Sequence, residues 1–176
     1  RRALVIGLGT GISLRGLSAH PTEAIDCVEI SPEVVKASSY FAEANGRALD
    51  DPKVRLLVED GRNLLLTENQ IYDVIVSEPS NPWQTGNANL FTLDFYRLAA
   101  RRLAADGIFC QWLGLYDITT ENLRIACRTF LRVFPHALVF TSGSDLILVG
   151  AGRPLVMDYQ RLAQRLAVPA IAAALT

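Results

Sequence analysis

Val5-Ile6-Gly7-Leu8-Gly9-Thr10-Gly11 decides the fold. An apolar run opens at Ala3, breaks into closely spaced glycines, and gives way to a helix-period segment reaching about Ala19. A strand, a glycine turn and a helix in that order let the backbone approach a ligand closely, because no Cβ stands in the way. The spacing is G-x-G-x-G. The dinucleotide fingerprint G-x-G-x-x-G requires a glycine where this chain has Ile12.

Outward from this turn, apolar runs alternate with helix-period segments. Ala24–Ile30 reads as a second strand. Ser31 follows as an N-cap with Pro32 in the first turn of a helix that runs to about Asn45-Gly46. Val54–Val58 is a third strand, and Asp60-Gly61 opens a short helix. Tyr72–Ser77 is a fourth strand, followed by a loop rich in Pro, Asn and Gly. Thr92 starts a helix to about Ala104, with Phe95, Leu98, Ala99 and Leu103 apolar. Asp106-Gly107 then turns into a strand at Ile108–Leu113. Thr120 caps a helix whose inner face carries Leu123, Ala126, Cys127, Phe130 and Leu131. Ala137–Thr141 and Leu146–Val149 form a hairpin around Ser142-Gly143-Ser144.

Five βα units closed by a hairpin predict an α/β, Rossmann-like class I methyltransferase fold. Its sheet is seven-stranded and mostly parallel with an antiparallel final strand, and helices lie on both faces. This is the layout of S-adenosylmethionine-dependent enzymes. Residues 1–150 are expected to form the donor-binding catalytic domain. Residues 151–176 form a C-terminal tail with a helix at Asp158–Ala167 and an Ala-rich end over Val168–Thr176.

Composition narrows the function. The chain has 176 residues, 17 Lys+Arg against 18 Asp+Glu, and 50% hydrophobic residues, which suits one globular domain with a real core. A formal charge of −1 gives no basic field, so nucleic acid is not an expected partner. The longest apolar stretches fall short of the ~18 residues of a membrane span, and no secretory leader is recognisable. Cys27, Cys110 and Cys127 are far apart and match neither a zinc pattern nor a CxxC pair; His20 and His136 stand alone. No metal is expected. Arg1 and Arg2 lead straight into a buried-type strand, the pattern of a segment cut from a longer protein.

The candidate site residues fall at strand ends, where open α/β sheets hold their ligands. Gly7, Gly9, Thr10 and Gly11 form the turn. Glu29 closes the second strand, where a carboxylate accepts both ribose hydroxyls of an adenosine, and Ile30 packs on its ring. Asp60, with Gly61 after it, closes the third strand within reach of an adenine amino group. After the fourth strand comes Ser77-Glu78-Pro79-Ser80-Asn81-Pro82-Trp83. Glu78 is placed to orient an amine and take its proton, since amines attack unprotonated. Asn81 offers a second acceptor, and Trp83 a flat wall suited to cations.

These motifs carry a resemblance. From Ala3 to about Val149 the chain resembles the catalytic domain of spermidine synthases, the polyamine aminopropyltransferases. The matching stretches are Val5–Gly11, His20-Pro21, Val28-Glu29-Ile30, Asp51–Val54, Asp60-Gly61, Tyr72–Ile75 and Glu78–Pro82. Glu78–Trp83, Asn89–Thr92 and Phe109–Leu113 resemble a bacterial branch often fused to multispanning membrane segments. The resemblance implies decarboxylated S-adenosylmethionine, or S-adenosylmethionine itself, as co-substrate, with an amine acceptor. Glu78 would be the base, and Asn81, Trp83 and Gln111 would face the acceptor. It further implies a location on the cytoplasmic side and a homodimer.

Departures are specific. The family motif after the fourth strand is D-x-S-D-P; Glu78 stands at its first acid and Asn81 replaces the second. Thr10 stands where the family's glycine loop carries an Asp for the donor's amine. The family's small N-terminal β-domain is not among these residues. Two alternatives stay open at this point. One is an amino-methyltransferase, since Asn81-Pro82-Trp83 resembles the Asn-Pro-Pro-aromatic motif. The other is a domain that binds adenosyl ligands without turnover.

Overall fold

The computed structural model describes residues 1–84 and 86–175; Thr85 in the loop after the fourth strand and Thr176 at the end of the tail lie outside the described residues. Seven strands form one sheet in the order β3-β2-β1-β4-β5-β7-β6: β1 (Arg2–Ile6), β2 (Ala24–Glu29), β3 (Val54–Val58), β4 (Tyr72–Ser77), β5 (Leu103–Gly114), β6 (His136–Ser142) and β7 (Asp145–Ala151). Two compact units divide the chain: Arg1–Asp60 with the segment from Val156 onward, and Gly61–Leu155.

In the first unit, β2 pairs in parallel with both β1 and β3. Ala3, Leu4, Val5 and Ile6 are all at most 4% exposed, so both faces of β1 are covered, as the unbroken apolar run requires. α1 (Ile12–Ser18) follows the glycine turn, and α2 (Pro32–Ser38) begins under the Ser31 cap, whose hydroxyl accepts from the Val34 amide. α2 ends at Ser38, well before the expected Asn45. The Ser38 and Ser39 hydroxyls donate back to the carbonyls of Val35 and Lys36 at 2.8 and 2.7 Å, drawing the chain into a 3-10 turn at Ser39–Phe41. The tail forms two helices. Asp158 caps the one at Tyr159–Leu166, and the Ala-rich end folds at Pro169–Ala174, where Arg15 of α1 donates to the Ala173 carbonyl.

In the second unit, β4 and β5 are parallel, and β7 runs antiparallel to both β5 and β6. The antiparallel strand is therefore the last one, inserted between β5 and β6. Helix α3 (Gly61–Thr67) precedes β4. α4 (Leu93–Arg101) starts at Thr92, whose hydroxyl accepts from the Phe95 amide. It stops short of the expected Ala104 because β5 begins at Leu103, paired with Tyr72. A register shift between Tyr72 and Val74 carries Asp106-Gly107 inside a bulged strand instead of a turn. α5 (Thr120–Leu131) is capped by Thr119, one residue earlier than expected. Phe130 is fully buried, but Leu131 is 48% exposed. The inner stripe continues four residues on at Phe134, and position 131 is rotated off it. Phe95, Tyr96, Phe109, Phe130 and Phe134 pack as one aromatic core, with Phe109 and Phe134 stacked at 5.1 Å.

Candidate functional site

In the first unit, the carboxyl ends of three parallel strands come level. Ile6 pairs with Val28, and Glu29 with Val58. Gly7, Gly9 and Gly11 take φ of 95°, 51° and 85°, the left-handed region that excludes most side chains. Nothing lies within 4 Å of where a Cβ of Gly9 would stand, so the space above the turn is open. Glu29 is only 8% exposed. Its Oε2 accepts from the Leu8 amide and its Oε1 from the Ser31 amide, both at 2.9 Å. A carboxylate has about four acceptor positions, so each oxygen retains capacity for one hydroxyl. Ile30 is 67% exposed and presents an apolar shelf directly after that carboxylate. Asp60 is half-buried after β3, and Gly61 is buried at the start of α3.

Asn45 holds the turn, a role its sequence position does not announce. Its Nδ2 donates to the Thr10 carbonyl at 2.8 Å and to the Ser38 carbonyl at 3.0 Å, while its Oδ1 accepts from the Arg47 amide at 2.9 Å. It lies against Gly11, where a Cβ would meet its Nδ2 at 3.1 Å. The sequence signal was Asn45-Gly46, legible as a helix stop but not as a brace.

In the second unit, Glu78 is half-buried immediately after β4, and Ser77 pairs with Gln111 of β5. Burial, and to a lesser degree the charge of Glu78, push the Cys110 thiol up to about 12, so this thiol stays protonated at neutral pH. Gln111 is fully buried. Its Nε2 donates to the carbonyls of Ser77 and Trp112 at 3.3 and 3.1 Å. Gln111 Oε1, Asn81 Oδ1 and Ser77 Oγ are buried with no hydrogen-bond partner among the described residues. Unpaired buried acceptors are costly, and a donor-rich ligand such as an amine relieves them. Trp83 is 47% exposed and meets Tyr116 edge to face at 6.2 Å, an aromatic contact absent from the sequence reading. Among the described residues no group of three or more His, Cys, Asp or Glu is placed to hold a metal, and no helix is long and apolar enough to cross a membrane.

A mostly parallel sheet closed by an antiparallel hairpin, with a glycine turn after β1 and an acid closing β2, defines the class I S-adenosylmethionine-binding fold. Residues 1–142 match the spermine/spermidine synthase domain, and the chain belongs to that family. A polyamine aminopropyltransferase of Sodalis glossinidius is 40% identical over 125 residues, 70% of this chain and 43% of that protein. One from Clostridioides difficile is 33% identical over 144 residues, 80% of this chain and 50% of that protein. The chain thus spans about half the length, or less, of these relatives. The spermidine synthase of Thermotoga maritima superposes with a TM-score of 0.75 at 23% identity, covering 87% of this chain and 54% of that one. Human methyltransferase-like protein 13, in complex with SAH, gives a TM-score of 0.75 at 20% identity, covering 99% and 81%. Both structural likenesses bear on the fold.

Proposed function

We propose that this protein moves an aminopropyl group from decarboxylated S-adenosylmethionine to an amine acceptor, as in polyamine biosynthesis. One observation carries the reading. In a chain of this family, half-buried Glu78 directly follows β4, and three residues on stands Asn81, whose buried oxygen has no partner among the described residues. Residues 1–150 are the catalytic domain in this reading, with 151–176 as its tail.

The donor supplies an electrophilic carbon on a sulfonium. The acceptor nitrogen bonds to that carbon as the C–S bond breaks, the bonding pair goes to sulfur, and the thioether leaves. Glu78 takes the proton that the amine gives up. Asn81 and Gln111 offer oxygens to the acceptor's N–H groups, and Trp83 an aromatic wall. On the donor side, the open turn at Gly7–Gly11, the spare lone pairs of Glu29, the Ile30 shelf and Asp60 fit an adenosyl group. A location on the cytoplasmic side and a homodimer come with the resemblance.

Thr10 favours a second reading of the donor. Without an acid at that position, intact S-adenosylmethionine meets less repulsion, so methyl transfer to an amine is the competing activity. Incubation with each donor and a diamine, read by product mass, separates the two.

A further inference from the structure

The geometry points to Tyr116 as a specificity-determining residue that, with Trp83 and Asn81, receives the non-reacting ammonium of a diamine acceptor, Gly114 being the positioning residue that seats it. This rests on the proposed transfer to amines and adds Tyr116 to the residues that face the acceptor.

The observations lie at the end of β5. A Cβ at Gly114 would stand 2.7 Å from Cε1 of Tyr116 and 2.9 Å from Oδ1 of Asn81. Both side chains therefore occupy the space that a missing side chain leaves. The segment is fixed there: the Leu115 amide donates to the Ser144 carbonyl at 2.7 Å, and Asp117, at φ 55°, turns the chain. Trp83 then meets the Tyr116 ring at an interplanar angle of 88°, so the two rings make a corner. Beside Tyr116 lies the buried Asn81 oxygen, which has no partner among the described residues. Aromatic faces attract cations and the amide oxygen accepts N–H, so the corner is complementary to an ammonium, whereas a methyl terminus gains only weak apolar contact with the exposed rings and nothing from the amide. The ring is 45% exposed, so its removal does not open the core.

The test compares 1,4-diaminobutane with 1-aminobutane as acceptors, measured with decarboxylated S-adenosylmethionine. Tyr116→Ala should raise the diamine KM about 3- to 30-fold, in KM rather than kcat, and leave the monoamine KM within about twofold. Tyr116→Phe should behave as wild type, since it keeps the ring. Gly114→Ala, in ordinary strand conformation, should reproduce Tyr116→Ala by pushing ring and amide apart, with donor affinity by calorimetry unchanged. Equal effects on both amines, or none, in an active protein overturn the inference and leave the proposed transfer standing. A wild type that aminopropylates neither amine overturns both.

Discussion

The Leu8 amide donates to Glu29 Oε2 at 2.9 Å, tying the glycine turn after β1 to the last residue of β2. The same carboxylate takes the Ser31 amide through its other oxygen. Glu29 is thus both a brace for the turn and an acceptor with capacity left for a ligand.

Glu29→Ala should therefore fail twice. Loss of a charged acceptor raises the Kd for an adenosyl donor ~10–100-fold, at ~1.5–3 kcal/mol per such bond. The Leu8 and Ser31 amides also lose their partner, so the unfolding midpoint falls. Calorimetry and thermal denaturation read the two effects separately. An unchanged donor titration contradicts the placement of the donor.

Asn45→Ala should remove the side-chain donor to the Thr10 and Ser38 carbonyls and the side-chain acceptor of the Arg47 amide, which keeps its bond to the Ala42 carbonyl at 3.1 Å. A cost of about 1–3 kcal/mol is expected in urea denaturation, together with weaker donor binding as the turn loosens. A variant with unchanged midpoint and donor affinity would show that the turn holds itself.

Thr10→Asp should restore preference for the decarboxylated donor. One charge pair at ~4 Å near a surface amounts to ~4 kcal/mol before desolvation offsets it, and a third of that shifts the ratio of the two dissociation constants about tenfold. The wild type should discriminate poorly between the donors. Selectivity already of ~100-fold in the wild type refutes the role given to Thr10.

Tyr96→Phe should be neutral or stabilising. Tyr96 is fully buried among Phe95, Phe109, Phe130 and Phe134, and its hydroxyl has no partner among the described residues. Burial first, and Cys127 second, push its ionisation upward, so the hydroxyl stays neutral and idle. A loss above ~1 kcal/mol in denaturant unfolding would mean that the hydroxyl has a partner.

Where the sequence was legible, local chemistry set the structure. β3 and β4 keep the bounds expected of them, and Ser31 and Thr92 cap the helices they precede. Turn glycines and strand-end acids were visible because their spacing along the chain is their signal. The rest depends on contacts between distant residues. The end of α2 is fixed by serine back-bonding and by Asn45, and the start of β5 by the pairing of Leu103 with Tyr72. Asn45 acts on a turn 35 residues away. Tyr116 matters only because Gly114 leaves room for its ring beside Asn81. None of these has a spacing motif, so periodicity could not find them.

Glu78 carries the central claim, and its measurement is the product mass. With decarboxylated S-adenosylmethionine and a diamine, the wild type should yield the amine heavier by one aminopropyl group and one equivalent of thioether. Glu78→Gln should bind the donor unchanged and turn over ~10²–10⁴-fold more slowly, having kept the shape and lost the base. An amine heavier only by a methyl group, or full turnover by Glu78→Gln, would contradict the account.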